Sequence, residues 1–393
     1  MRSLVTRELS EAPENLALGY FMHVYAPTAA FEYLSEVSSI YLTKEPLGDA
    51  LLAPSLLLFS QNLRLPTVQS LAQTHYAKAL RSTNSALSSP GLAEDNGTLL
   101  AVLLLSLYEA LDFQGRKVPS NWNAHTQGAS ELLRLRGEGQ FDNPLGRHLF
   151  RHASSNIRTH CAQLGVNTPS VLGTLENGYL EMIYPSEPSR RFGQVVDSIA
   201  NLRANIHKLS PIGHLRKVLE LDLELEDVLN SLRRDAPFEV IDITAMPGRI
   251  FTYKNQIHQY LSPRIARMWN MLRIARLFLI QMVYHAVALK RPPEQLTNEE
   301  HIRVHKLTTV ISTKMISEIL QSVPSALELS LNPMMSSRSL IYPLSGIAVF
   351  EFASPDATEY AIDRLAFIGR QYGFAQAVDS TNMVLQNHDF ENW

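Results

Sequence analysis

Apolar residues along this chain recur at steps of three and four, the period that lays them on one face of an α-helix. Between Arg191 and Leu209 the stripe is Phe192, Val195, Ile199, Leu202, Ile206 and Leu209. Met268, Leu272, Ala275, Leu279 and Met282 repeat the pattern, and so do Val304, Leu307, Ile311, Met315 and Ile319. The run Leu99–Leu107 is apolar on all sides and predicts a central, buried helix. It is too short to span a bilayer, which takes about 20 residues.

Helix punctuation agrees with the periods. Ser210-Pro211, Ser262-Pro263 and Ser354-Pro355 each place a capping serine before a proline at the first helical position. Thr297 with Glu300 predicts a capping box, and Gly373 predicts a C-terminal cap. Loops are predicted at 88–91, 115–121, 137–144, 185–189, 233–248, 291–295 and 332–344. The segment 238–244, Phe-Glu-Val-Ile-Asp-Ile-Thr, is the best strand candidate but is short enough to read as an extended linker. No repeat of solenoid period and no low-complexity segment occurs. The expected fold is all-α, a compact domain of about a dozen helices. Residues 1–14 read as a tail and 15–393 as the domain, and a subdomain seam would fall near 165–190.

Composition narrows the function classes. Of 393 residues 45% are apolar and 19% charged, enough to bury a large core. The net charge of -3 lacks the basic excess by which DNA-binding domains neutralise phosphates. The lone cysteine, Cys161, excludes an intramolecular disulfide and any multi-cysteine metal site within these residues. The first residues carry Glu8, Glu11 and Glu14 with no continuous apolar stretch, unlike a signal or transit peptide.

Candidate chemistry is sparse. His301 and His305 share a helix face, but Ile302 stands where zincins place glutamate, so surface histidines are expected and no metal. Arg264, Arg267, Arg273 and Arg276 spread around one helix, which fits solvated flanks and one core ion pair better than a DNA-reading stripe, with an anionic-ligand contact as the alternative. Gly137-Glu138-Gly139 lacks the third glycine and the preceding strand of a dinucleotide loop. Cys161 beside His160 reads as a buried, inert thiol, since helix neighbours in sequence point apart.

One block is distinctive: Thr98–Leu111, ending in Tyr108-Glu109, followed by Trp122, His125, Gly128, Ala129, Leu132, Leu133, Arg136 and Gly137. It resembles the fungal-specific transcription factor domain, the regulatory region that follows the zinc cluster in many fungal regulators. Tyr76, Ala79, Leu80, Asn84 and Leu87 upstream, and Gly146, Arg147, Leu149 and Phe150 downstream, add to the resemblance. Ser322-Val323-Pro324, Tyr342-Pro343-Leu344 and Ile368-Gly369 extend it towards the C-terminus. The family's zinc cluster needs six cysteines around two zinc ions, and this chain has one.

The resemblance therefore implies a regulator-like protein without its own DNA-binding module, nuclear or alternatively cytoplasmic, with no membrane contact. Its expected partner is a related transcription regulator or a second copy, with a small-molecule effector as a further option and a role in a metabolite or catabolic pathway. No cofactor is expected. Tyr108, Glu109, Trp122, His125 and Arg136 are the binding candidates of the family block. Gly128 and Ala129 would let a neighbouring helix approach closely, and Glu109 and His125 would need polar partners near the core. The alternative is a scaffold redeployed as an enzyme on a hydrophobic metabolite, with Tyr108, Glu109, Trp122 and His125 to be tested first.

Overall fold

The structure, a computed structural model, describes residues 12–28, 31–63, 65–112, 120–243, 252–288, 296–330 and 332–385. Among them the chain is all-α apart from one two-stranded hairpin. The described residues form two compact units, one up to Ala153 and one from Ser154 onward.

The first unit contains α1 (Pro13–Tyr20), α2 (Ser39–Leu42), α3 (Leu47–Leu63), α4 (Pro66–Leu87), α5 (Pro90–Ala93), α6 (Asn96–Asp112), α7 (Ser120–Arg136) and the start of α8 (Pro144–Leu164). The all-round apolar run is indeed the central helix. Leu99, Leu100 and Leu104 of α6 are fully buried, and α6 packs against α3, α4 and α7. Because an α-helix carries no unsatisfied main-chain groups along its length, it can be buried on every side when its side chains are apolar. Ala129 is buried at a helix contact, as expected, but Gly128 is exposed and faces open space, so it mediates no close approach. The close approach is made elsewhere. A Cβ on Gly146 would lie 1.9 Å from the Gln140 carbonyl oxygen.

The second unit contains the rest of α8, α9 (Ser170–Glu176), α10 (Leu180–Ile183), α11 (Glu187–Ala204), α12 (Pro211–Asp235), β1 (Phe238–Asp242), β2 (Gln256–Tyr260) and α13 (Pro263–Ala288). It continues with α14 (Asn298–Lys306), α15 (Ser312–Leu327), α16 (Pro333–Val349), α17 (Pro355–Tyr372) and α18 (Ala375–Leu385). A π-helical turn, Leu307–Ile311, joins α14 to α15 without a break. The stripe Val304, Leu307, Ile311, Met315 and Ile319 runs through it and is buried throughout.

Several local expectations hold and several need correction. Ser210 caps α12 by accepting from the Gly213 amide at 3.1 Å, Ser262 accepts from the Ile265 amide at 3.3 Å, and the Thr297–Glu300 capping box is complete. Gly373 ends α17 with φ at 73°. Ser354, however, makes no side-chain capping bond to an α17 amide and instead bonds the Asp356 side chain. The stripe expected to continue to Leu209 stops at Ala204, where α11 ends, and Ile206 and Leu209 are each 41% exposed. The loop expected at 332–344 is helix α16. Pro333 opens it, and buried Met334, Met335, Leu340 and Ile341 hold it in place around the internal Pro343. The burial of that apolar face outweighs the local cost of one helix-interior proline.

The segment read as an extended linker is strand β1. It pairs antiparallel with β2 in the register Phe238↔Tyr260, Val240↔His258 and Asp242↔Gln256. The partner strand carries no strong apolar alternation, which is why β1 reads alone as a linker. The turn into β2 has positive φ at both Lys254 and Asn255, the backbone of a tight hairpin turn that matches strand twist.

Candidate functional site

The family block places its best candidates on α4 and α6 of the first unit. The rings of Tyr76 and Tyr108 stack with centroids 4.2 Å apart and 14° between planes. The Tyr76 hydroxyl donates to the Glu109 carboxylate. The Tyr108 hydroxyl is buried and has no hydrogen-bond partner among the described residues. Burial and the carboxylates of Glu109 and Asp112 push both phenols up, so they stay protonated and keep an O–H to donate. Burial, then the Glu109 charge, raises the Asp112 carboxyl.

Arg136, at the end of α7, is buried. It donates to the Glu94 carbonyl at 2.9 Å and to Asn96 Oδ1 at 2.5 Å, tying α7 to the start of α6. Trp122 and His125 lie on the α7 backbone, but their side chains fall outside the described residues. The structure thus joins Tyr108 and Glu109 to Tyr76 and assigns Arg136 to a helix junction.

The arginines of α13 behave differently from expectation. Two of them are core ion pairs, not one. Arg276 donates to both oxygens of fully buried Asp222 at 2.7 and 3.2 Å, and Arg303 joins the same carboxylate. Glu226 completes the cluster by accepting from Arg303 at 2.9 Å and lying 3.3 Å from Arg276. Burial alone would raise its carboxyl, but the Arg303 hydrogen bond and the two guanidinium charges hold it below the ordinary range. Two cations and two anions balance, which is what makes their burial tolerable.

Arg273, fully buried, is bound through its Nε and Nη1 atoms. It donates to Glu318 Oε2 at 3.0 Å, to the Tyr260 hydroxyl at 2.6 Å and to Asn270 Oδ1 at 3.1 Å. Its guanidinium carbon lies 4.9 Å from the ring centres of both Phe238 and Trp269, where the negative face of each ring attracts a desolvated cation. Phe238 in turn stacks on His258 at 4.3 Å. Burial first, then the Arg273 charge, pushes the His258 imidazole down to about 3, so it is neutral at pH 7.

Against this cage lies a cavity of about 580 Å³ lined by Phe238, Val240, Gln256, His258, Lys314 and Glu318, with Arg233, Pro237, Ser317 and Gln321. Gln321 donates to Gln256 Oε1 at 2.9 Å across its polar end. A second cavity of about 220 Å³ is bordered by the same Arg233, Lys314 and Glu318, together with Trp269, Arg276, Lys306, Val310, Ile311 and Met315. The π-helical turn supplies Val310 and Ile311 to this wall; such widened turns are frequent at functional sites. Of these lining residues only Arg276 is among those the sequence offers as an anion contact. The available signal was weak but real: Arg273 lies four residues after buried Trp269 and Arg276 seven, on the same helix face.

His301 and His305 are exposed, and no group able to hold a metal exists among the described residues. Cys161 is buried, and burial together with Asp197 raises its thiol. No described helix is long and apolar enough to cross a membrane.

Comparison with known proteins follows the family block. Residues 20–160 match the family model described as fungal specific transcription factor domain. The chain is also similar to transcription factor dbaG of Emericella nidulans, 22% identical over 409 residues that cover 93% of this chain and 90% of that protein. No solved structure matches.

Proposed function

We propose that this chain, which carries a fungal specific transcription factor domain over residues 20–160, is the regulatory part of a transcription regulator. The observation that carries the reading is the similarity to transcription factor dbaG along nearly the full length of both chains, beyond the family block itself. The DNA-reading part comes from outside these 393 residues. They hold one cysteine and a net charge of -3, neither a zinc cluster nor a phosphate-neutralising surface. A further segment of the same protein, a related regulator, or a second copy joined to one supplies it, and the site of action is the nucleus of a fungal cell. A metabolite or catabolic pathway is the expected target.

The test joins residues 1–393 to a heterologous DNA-binding domain in a reporter strain and purifies a tagged chain from fungal nuclear extract. Altered reporter transcription together with recovery of a DNA-binding regulator supports the reading. An unchanged reporter, with the chain outside the nucleus and no regulator recovered, overturns it.

A further inference from the structure

We propose that two adjoining cavities between α12 and α15, the larger against the β1–β2 hairpin and the smaller against α13 and the π-helical turn, form one binding site for a small molecule bearing a carboxylate on an apolar body. Size comes first. The larger cavity, about 580 Å³, falls within the roughly 300–1,000 Å³ typical of small-molecule sites. The smaller, about 220 Å³, shares three wall residues with it.

Charge comes second. Four cations border the pair: Arg276, held by Asp222 and Glu226, and Arg233, Lys306 and Lys314. Arg233 and Lys306 form no ion pair among the described residues, and Lys314 lies 3.9 Å from Glu318, at the limit of a contact. Every lining carboxylate is already matched by a guanidinium: Glu318 by Arg273, Glu226 by Arg276 and Arg303. The walls therefore hold an uncompensated positive charge that only an occupant or solvent ions can balance.

Lining chemistry comes third. Phe238, Val240 and Pro237 offer apolar contact on one side; Gln256, His258, Ser317 and Gln321 offer neutral hydrogen-bonding groups on the other. Phe238 is fixed by His258, stacked on it at 4.3 Å, and by the Arg273 guanidinium 4.9 Å from its ring centre, so it offers the cavity a rigid apolar edge. Apolar walls beside unpaired cations select an anion with an apolar body over a small polar anion or a neutral molecule. Behind it the buried Arg273 Nη2 makes no hydrogen bond among the described residues, so the cage retains an unused donor.

The inference does not depend on the regulator reading, because binding is measured on the purified chain alone. The probe is 1-naphthoate, titrated by calorimetry at low salt, with neutral 1-naphthamide and acetate as comparators. The expected result is saturable one-to-one binding of naphthoate, at least about tenfold tighter than naphthamide and acetate. Arg233→Ala with Lys314→Ala weakens it at least about tenfold, and so does Val240→Glu, which sets a carboxylate on the wall. These three positions are exposed, so melting curves are expected to stay near those of the parent chain. Arg216→Ala, on the far end of α12 and paired with Glu300, leaves binding unchanged. Absence of saturable naphthoate binding at millimolar concentration overturns the proposal. Equal affinity for naphthamide, or undiminished affinity in folded Arg233→Ala/Lys314→Ala and Val240→Glu chains, also overturns it.

Discussion

Replacing His258 by glutamine should remove a specific pH dependence of stability. In the folded chain burial and the Arg273 charge lower the His258 imidazole from 6.5 to about 3. Unfolding releases it to the ordinary value. The folded pKa is depressed, so the favourable contribution is fully present above pH 6.5 and is lost as pH falls towards 3, where the unfolded chain binds a proton that the folded chain refuses. Integrating that difference in proton binding between pH 7 and pH 4 gives a loss of about 3 kcal/mol. His258 is 2% exposed, so solvent screens little of it. Glutamine keeps a side-chain donor and acceptor but cannot be protonated.

The assay is urea unfolding of both chains from pH 7 to pH 4, followed by fluorescence of buried Trp269, which meets Phe238 edge-on beside the histidine. Other titrating groups are common to both proteins and cancel in the difference. The parent chain should lose about 3 kcal/mol more than His258→Gln across this range, whatever the offset at pH 7. Stability curves that run parallel within about 0.5 kcal/mol would refute the reasoning, because His258 would then titrate alike in both states.

In the family block the two stacked tyrosines should separate cleanly. Tyr108→Phe removes a buried hydroxyl with no partner among the described residues and is expected to be neutral or stabilising, while Tyr76→Phe removes one donor to Glu109 and costs about 1–3 kcal/mol in thermal melts. Gly146→Ala drives a methyl into the Gln140 carbonyl oxygen and should destabilise by more than about 3 kcal/mol. Arg158 is 4% exposed and donates to Glu176 at 2.8 and 2.9 Å and to Asp197 at 3.0 Å. Arg158→Met should cost about 3–5 kcal/mol in urea unfolding, and adding Glu176→Leu should recover part of it. Cys161 should react with a thiol-disulfide reagent far more slowly than a free thiol, reaching the ordinary rate only in denaturant.

Much of the fold could be read along the chain because its causes are local. A stripe at steps of three and four, a serine or threonine accepting from an amide three residues on, and a glycine at positive φ each act within one or two helical turns. The central helix α6, the caps at Ser210, Ser262 and Thr297, and the stop at Gly373 follow from these alone. The same locality explains the failures. Helix α16 is held by buried methionines and leucine around Pro343, and β1 exists because a second strand returns beside it. Neither support is visible in a short window.

The family block was recognisable from residue identity, and Tyr76, Tyr108 and Glu109 do meet, because α4 and α6 are separated only by the short α5 and pack directly. The cavity beneath the hairpin was decided by tertiary structure alone. Arg273 meets Glu318 across 45 residues, Arg276 meets Asp222 across 54, and Arg303 meets Asp222 across 81. A charged residue's helical face tells whether it points inward, but not which carboxylate awaits it. That pairing is what cancels some charges and leaves Arg233, Lys306 and Lys314 uncancelled around an open space. Sequence determined the helices and the block that marks their kind; only the packed chain, by bringing distant charges within hydrogen-bond reach, decided where a ligand could be held.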